Sequence, residues 1–119
     1  MVSIRPATNA DAAALVRLLG QLFEQEADFH PDAAAQDAGL SLILSSPAAG
    51  RILVAEETGN IAGTVTLLFT VSTALGARVA LLDDLVVDAA MRGKGIGSAL
   101  LVAAIDYCRA ASIRRISLN

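Results

Sequence analysis

The chain has 119 residues, a formal net charge of -3, one Cys and no Trp. Domains commonly have about 100–150 residues, so residues 1–119 are expected to form a single domain. Hydrophobic residues make up 55% of the sequence and aromatic residues only 3%, which predicts an aliphatic core and excludes a disordered chain. With Cys108 and His30 as the only residues of their types, an internal disulfide and a Cys/His zinc site are also excluded.

The first part of the chain predicts one strand and two helices. Val2–Arg5 is short, β-branched and followed by a proline, as expected of a strand. From Asp11 to about Glu26, leucines recur at helical spacing, which predicts an amphipathic helix. The opposite, polar face of that helix carries Asp11, Arg17, Gln21 and Glu24. An Ala-rich segment, Asp32–Leu44, predicts a second helix, and His30 lies in the loop between the two.

The second part predicts three strands, a helix and a final strand. A tight hairpin turn at residues 58–60 separates the first two of these strands. The third strand is apolar except for Asp83 and Asp84, as expected of a strand buried on both faces. Because it is followed by a helix and then another strand, the last two strands are expected to be parallel. The predicted ranges are Arg51–Glu56, Ile61–Val71, Val79–Val87, helix Ile96–Ala111 and Ile113–Leu118.

Charge is divided unevenly along the sequence. Residues 1–90 contain four Arg and no Lys against eleven Asp and Glu, whereas residues 91–119 contain five cationic side chains against Asp106 alone. An acidic body argues against nucleic-acid binding, and a local basic cluster suits a small polyanion such as a phosphorylated cofactor. No signal peptide and no apolar run of roughly 20 residues is recognisable. The protein is therefore expected to be cytoplasmic and to have no membrane partner.

A glycine-rich segment, residues 92–98 (RGKGIGS), lies between a predicted strand and a predicted helix. Free backbone N–H groups and the positive end of a helix dipole can bind a phosphate at such a junction. A dinucleotide fingerprint does not fit, because Ser98 stands where the third glycine belongs and no acidic residue follows about 20 positions later. The Walker pattern fails as well, since Lys94 is followed by Gly95 rather than Ser or Thr.

The pattern that does fit is R-x-x-G-x-G, formed by Arg92, Gly95 and Gly97. With its preceding strand it gives LLDDLVVDAAMRGKGIGSALL, residues 81–101, which resembles the GNAT superfamily of acetyl-CoA-dependent N-acetyltransferases, most closely the diamine/amine-acetylating branch. The resemblance implies an α/β fold with a mixed sheet in the order β-α-α-β-β-β-α-β, and acetyl transfer from acetyl-CoA to a primary amine, without a metal. It further implies that acetyl-CoA is bound by Leu85, Val86 and Val87 on the strand and by Arg92, Gly93, Lys94, Gly95, Ile96, Gly97 and Ser98.

Two adjacent carboxylates in an apolar strand require an explanation, because burying an unpartnered polar group costs roughly 2–7 kcal/mol. Neighbouring strand residues point to opposite faces, so Asp83 and Asp84 share a face only if a bulge intervenes. In the diamine-acetylating branch, the acid matching Asp83 is the general base, which makes Asp83 the first catalytic candidate and Asp84 either the alternative base or a contact for a cationic acceptor. The other reading is purely structural, with both carboxylates satisfied by backbone N–H groups or by Arg.

Compared with the family pattern, the sequence stops before a usual final helix and two strands, on the order of 30 residues. This comparison predicts a C-terminally truncated fold whose last strand is an open edge, and association into a homodimer. A truncated acyl-CoA-binding or oligomerising module with little turnover is therefore the alternative to an active enzyme. A dinucleotide oxidoreductase is the remaining class, and it would bind NAD rather than CoA. His30, although next to the expected acceptor site, is read as a solvated loop histidine.

Overall fold

The computed structural model describes residues 2–25 and 32–118, which form a sheet with helices on both faces. The elements are β1 (Val2–Pro6), α1 (Ala12–Glu24), α2 (Ala33–Leu44), β2 (Gly50–Glu57), β3 (Asn60–Ser72), β4 (Ala77–Val87), α3 (Ile96–Ala110) and β5 (Ile116–Leu118). Short 3-10 turns precede α1 and α3, at Asn9–Asp11 and Ala89–Met91. This order confirms the predicted β-α-α-β-β-β-α-β arrangement. No helix in the described part of the chain is long and apolar enough to cross a membrane.

The five strands lie in the sheet in chain order. The first four pair antiparallel, and β5 pairs parallel to β4 across the α3 connection. The sheet is therefore mixed, as predicted. Its β2–β3 hairpin turns on Thr58 and Gly59, whose φ angles of 52° and 81° are left-handed, as a two-residue hairpin turn requires.

Two apolar layers hold the helices against the sheet. The helix α3 covers one face, where its buried side chains are Ile96, Leu100, Ala104 and Cys108. The helices α1 and α2 cover the other face, where the buried cluster is Leu15, Leu18, Leu19, Leu40, Ile52, Val54, Ile61 and Val86. We refer to these as the α3 face and the α1/α2 face of the sheet.

The structure corrects two expectations about local position. The last strand begins at Ile116 rather than Ile113, because Ile113 is buried in the core on the α3 face and Ser112 turns the chain with a φ of 60°. Asp11, placed by its periodicity on an exposed helix face, is 7% exposed. Its carboxylate accepts hydrogen bonds from both Arg5 terminal nitrogens at 2.9 and 3.0 Å and from the Thr8 backbone N–H at 2.8 Å. These bonds offset the cost of its burial.

Close contact between α3 and the sheet depends on Gly63 of β3. A Cβ atom at this position would lie 3.0 Å from Cδ1 of Leu100, 3.1 Å from the Val86 carbonyl oxygen and 3.2 Å from Cγ2 of Ile96. The first turns of α3 therefore pack directly on the backbone of β3. A side chain here would push the start of the helix away from the end of β4.

We expect Gly63→Ala to lower the free energy of unfolding by about 1–3 kcal/mol, because overpacking a filled core costs roughly this amount. Gly20→Ala is the matched control, since a Cβ at Gly20 meets nothing within 4 Å. Within a helix this control should raise stability by about 0.5–1 kcal/mol. Urea unfolding of both variants measures the difference, and equal stability of Gly63→Ala and the wild type would contradict the close-contact explanation.

Candidate functional site

A β-bulge interrupts β4 at the two aspartates. Asp83 pairs with Thr66 and Val86 pairs with Thr64, so two residues of β4 stand opposite the single residue Val65 of β3. Asp84 is one of these two residues and has a left-handed φ of 52°, a conformation that Asp tolerates better than most non-glycine residues. Such a bulge kinks a strand and redirects its side chains.

The bulge changes which face of the sheet the β4 side chains meet. Leu82 packs on the α3 face, whereas Val86 packs on the α1/α2 face. In an uninterrupted strand these two side chains would lie on the same face. Asp83 shares the face of its cross-strand partner Thr66, and Asp84 lines the same groove as Thr66. Both aspartates therefore lie on the α1/α2 face. Neighbouring residues of a strand can share a face in this way only where a bulge interrupts the strand, as expected from the sequence.

A groove of about 270 Å³ opens between α1, α2 and the sheet beside Asp84. Its lining is mainly apolar and consists of Leu19, Phe23, Ala35, Gln36, Gly39, Leu40, Ile43, Thr66 and Asp84. Within the described residues, the side-chain nitrogen of Gln36 is buried without a hydrogen-bond partner. The groove thus combines an apolar wall, a carboxylate and an amide. His30 lies outside the residues that the structure describes.

Main-chain groups are open to a ligand along the far edge of β4. The Asp88 N–H donates to the Ala62 carbonyl of β3 at 2.8 Å, so strand alternation turns the polar groups of Leu85 and Val87 towards the opposite edge. In the described part of the chain β5 pairs only with Ala80–Leu82 and does not cover that edge. Leu85 and Val87 can therefore pair with an extended ligand as an added strand would. The Val86 main chain faces β3 instead.

The start of α3 has the geometry of an anion site. Gly93 and Gly95 have left-handed φ angles of 83° and 77°, and Gly95 is the N-cap, where it supplies no side-chain cap. The Ala99 N–H donates to the Gly95 carbonyl at 3.0 Å, so the N–H groups of residues 96–98 precede the hydrogen-bonded ladder of the helix. Together with the helix dipole, such N–H groups favour a bound phosphate.

The side chains of this segment separate into buried and exposed sets. Ile96 is 3% exposed and anchors the first turn in the core on the α3 face. Gly97 has room for a methyl group, since a Cβ there would lie 3.6 Å from Cγ2 of Val87. Arg92 and Lys94 are exposed. The geometry therefore suits phosphate contacts from the backbone, with charge supplied by Arg92 and Lys94.

We call residues 88–95, which connect β4 to α3, the glycine loop. Its first residue, Asp88, is held by α1: Arg17 Nη1 donates to Asp88 Oδ2 at 2.7 Å, and Gln21 Nε2 donates to Oδ1 at 3.4 Å. The Ala89 N–H donates to Gln21 Oε1 at 3.0 Å. We call this set of bonds the α1 clamp. From the sequence, Arg17 and Gln21 are expected only to share the polar face of the helix. Their spacing of one helical turn is the signal in the sequence that they can act together.

Arg17 and Asp88 of the α1 clamp each make one further hydrogen bond to a backbone group. Arg17 Nη2 donates to the Ile61 carbonyl of β3 at 3.2 Å, and Asp88 Oδ1 accepts from the Ala90 N–H at 3.1 Å. The hydrogen bond from Arg17 is the main cause of a lowered pKa at Asp88. A recess of about 630 Å³ lies between the clamp and the β2–β3 hairpin, with Arg17, Asp88 and Lys94 among its lining residues. The two aspartates of the bulge do not line it.

Comparison with known proteins identifies the family of the chain. The model of the acetyltransferase (GNAT) family matches residues 12–119. The chain belongs to the GNAT family. An N-acetyltransferase of Bacillus subtilis, the uncharacterised YhfO, is 37% identical over 109 residues, which cover 89% of this chain and 70% of YhfO. These matches confirm an acyltransferase of a family that generally uses acetyl-CoA, and they leave its acceptor branch open.

Solved structures confirm the predicted GNAT-like mixed sheet. An integron cassette protein from the mobile metagenome of Cole Harbour Salt Marsh superposes with a TM-score of 0.90 at 29% identity, over 98% of this chain and 76% of that one. A possible acetyltransferase of Clostridium difficile 630 superposes with a TM-score of 0.91 at 18% identity, over 100% of this chain and 79% of that one. The second likeness concerns the fold alone.

The lowered pKa of Asp88 predicts a pH-dependent contribution to stability. A carboxylate whose pKa is lowered by folding stabilises the native state above its unfolded pKa of about 3.9, and this contribution is lost as the pH falls through the folded pKa. Asp88→Asn should therefore cost about 0.5–1 kcal/mol at pH 7, the upper range for a partly exposed ion pair. The difference from wild type should shrink below about pH 4.

Urea unfolding at neutral and acidic pH measures this effect. Asp106→Asn is the matched control, because Asp106 is exposed and lies 3.9 Å from Arg109, and it should change stability less at pH 7. A deficit of Asp88→Asn that stays constant with pH would show that its ion pair does not contribute.

Proposed function

We propose that this GNAT protein transfers an acetyl group from acetyl-CoA to a primary amine by direct attack on the thioester. The observation that carries the proposal is the bulge in β4. On one side of the bulge the strand has an open main-chain edge at Leu85 and Val87, and at the bulge itself Asp84 lines a groove on the α1/α2 face. A single strand therefore adjoins both the cofactor position and the acceptor position that the reaction requires.

The cofactor half of the proposal rests on the start of α3 and the edge of β4. The N–H groups of residues 96–98 bind the pyrophosphate, with Arg92 and Lys94 nearby to balance its charge. The pantetheine arm pairs with the main chain of Leu85 and Val87 as an added strand. An arm that runs along β4 from the anion site in this way places the thioester at its end close to Asp84.

The acceptor half rests on the chemistry of the groove. Its mainly apolar lining and its carboxylate at Asp84 suit an ammonium group on an apolar stem, such as a diamine. The ammonium gives a proton to a carboxylate, directly or through water, and the free amine then attacks the carbonyl carbon. A C–N bond forms and the C–S bond breaks, and the departing CoA sulfur takes up the second proton lost by the nitrogen, so that CoA leaves as the thiol. Asp83 is the first candidate for the base, and Asp84 is the contact for the acceptor or the alternative base.

Substitutions at the start of α3 test the cofactor half. Gly95→Ala forces a side chain into a left-handed conformation at a cost of roughly 1–2 kcal/mol, so we expect CoA affinity to fall about tenfold. Gly97→Ala has room for its methyl group, and Ile96→Val retains the backbone, so both should stay within about threefold of wild type. Isothermal titration with CoA measures all three. Equal affinity of Gly95→Ala and wild type would contradict the phosphate site.

Substitutions at the bulge test the acceptor half. Removing the general base should lower kcat/KM by about 10²–10⁴-fold, whereas removing an acceptor contact should mainly raise the acceptor KM. We expect Asp83→Asn to show the loss of kcat/KM and Asp84→Asn to show the raised acceptor KM, while both variants retain CoA affinity. Acetyl-CoA consumption with a panel of diamines, amino sugars and lysine peptides is the measurement.

Asp37→Asn, at an exposed position of α2, is the control and should match the wild type. Full activity of both bulge variants would exclude the aspartates from the mechanism. Wild-type CoA binding without turnover of any amine would favour the alternative, an acyl-CoA-binding module.

A further inference from the structure

Most of the glycine loop makes little contact with the core, and Met91 is the residue that packs against the core on the α3 face. Ala89 and Ala90 are exposed, and so are residues 92–95, which include both left-handed glycines. Glycine positions have many accessible conformations, and fixing one backbone residue costs roughly 1–2 kcal/mol. A loop of this kind binds a ligand more tightly when contacts outside it have already fixed its conformation.

The α1 clamp provides that external support. Arg17 and Gln21 lie one turn apart on α1, and together they hold both carboxylate oxygens of Asp88 and the N–H of Ala89. The second bond from Arg17, to the Ile61 carbonyl, ties the guanidinium to β3. With this further bond, the clamp joins a helix and a strand to the first two residues of the glycine loop.

Asp88 passes this restraint on to the rest of the loop. Its Oδ1 accepts from the Ala90 N–H at 3.1 Å, and its carbonyl accepts from the Met91 N–H at 2.8 Å, which closes the turn Ala89–Met91. Arg92 and Gly93 follow this turn directly. The direction in which the chain enters the anion site thus depends on the orientation of Asp88.

We infer that Arg17 and Gln21 are positioning residues that hold the glycine loop in its cofactor-binding conformation. The inference rests on the proposed function, since it takes acetyl-CoA as the ligand of the loop. Neither side chain needs to touch the cofactor, because both act through Asp88 and Ala89. Leu15 and Leu18 are fully buried and hold α1 on the sheet independently, so loss of the clamp should release the loop without displacing the helix.

Arg17→Met and Gln21→Met test the inference. Each should raise the Kd for CoA and the KM for acetyl-CoA about fivefold, a size typical of residues that act through a neighbour. kcat at saturating acetyl-CoA and the acceptor KM should stay within about twofold, because the bulge and the groove are unchanged. Arg17→Lys retains a charge for Asp88 and should recover part of the affinity. In an Asp88→Ala background, Arg17→Met should have no further effect.

A control and a second readout separate positioning from a general loss of stability. Arg109→Met removes an exposed guanidinium at the other end of α3 and should leave CoA affinity unchanged. Amide hydrogen exchange of the ligand-free chain should be faster at Ala89 and Ala90 in both clamp variants. Lower stability with unchanged CoA affinity and unchanged exchange would overturn the inference. Failure of the wild type to bind CoA would overturn the proposed function, whereas normal wild-type binding with unaffected clamp variants would overturn the inference alone.

Discussion

The extra residue in β4 is the constraint on which the rest of the site depends. A left-handed conformation costs an ordinary residue roughly 1–2 kcal/mol, so Asp84 keeps its φ of 52° only because its surroundings impose it. Leu82 is fixed in the core on the α3 face and Val86 in the core on the α1/α2 face. The strand can satisfy both cores only by inserting one residue between them. The two apolar layers therefore determine where the carboxylates lie.

Gly63 links this bulge to the anion site. It pairs with Val87 at the end of β4, and its missing side chain lets Ile96 and Leu100 approach the sheet. The first turn of α3 consequently lies next to the open main-chain edge of β4. The proposed positions for backbone pairing and for phosphate contacts therefore lie along one continuous path, although glycine, strand and helix come from separate parts of the sequence. Small local changes at Gly63 are expected to move the two halves of the site relative to each other.

Features with local signals were predictable from the sequence, and features that depend on distant packing were not. The element order, the hairpin at Thr58 and Gly59, and the glycine-rich start of α3 follow from periodicity and turn chemistry. The sequence indicates only that the two aspartates share a face if a bulge intervenes. It does not predict the bulge itself, because the bulge results from the packing of two separate cores, which no short segment reveals. The contact between Arg17 and Asp88 joins residues 71 positions apart. Asp11 was misplaced because helical spacing does not show that Arg5 pairs with it.

Net charge is a second property that the sequence alone does not explain, because the sequence does not show which carboxylates are already paired. The pairing seen in the structure narrows the basis for proposing a cationic acceptor. Taken alone, the acidic excess of residues 1–90 favours a cationic partner, yet three of those carboxylates, Asp11, Glu56 and Asp88, form intramolecular ion pairs with arginines. Interactions between exposed charges are screened beyond about 8–10 Å at physiological salt, so the total charge has little influence inside a groove. The proposed preference for an ammonium group therefore depends on the single position of Asp84, at the only point where the β4 bulge and the apolar groove coincide within the described residues.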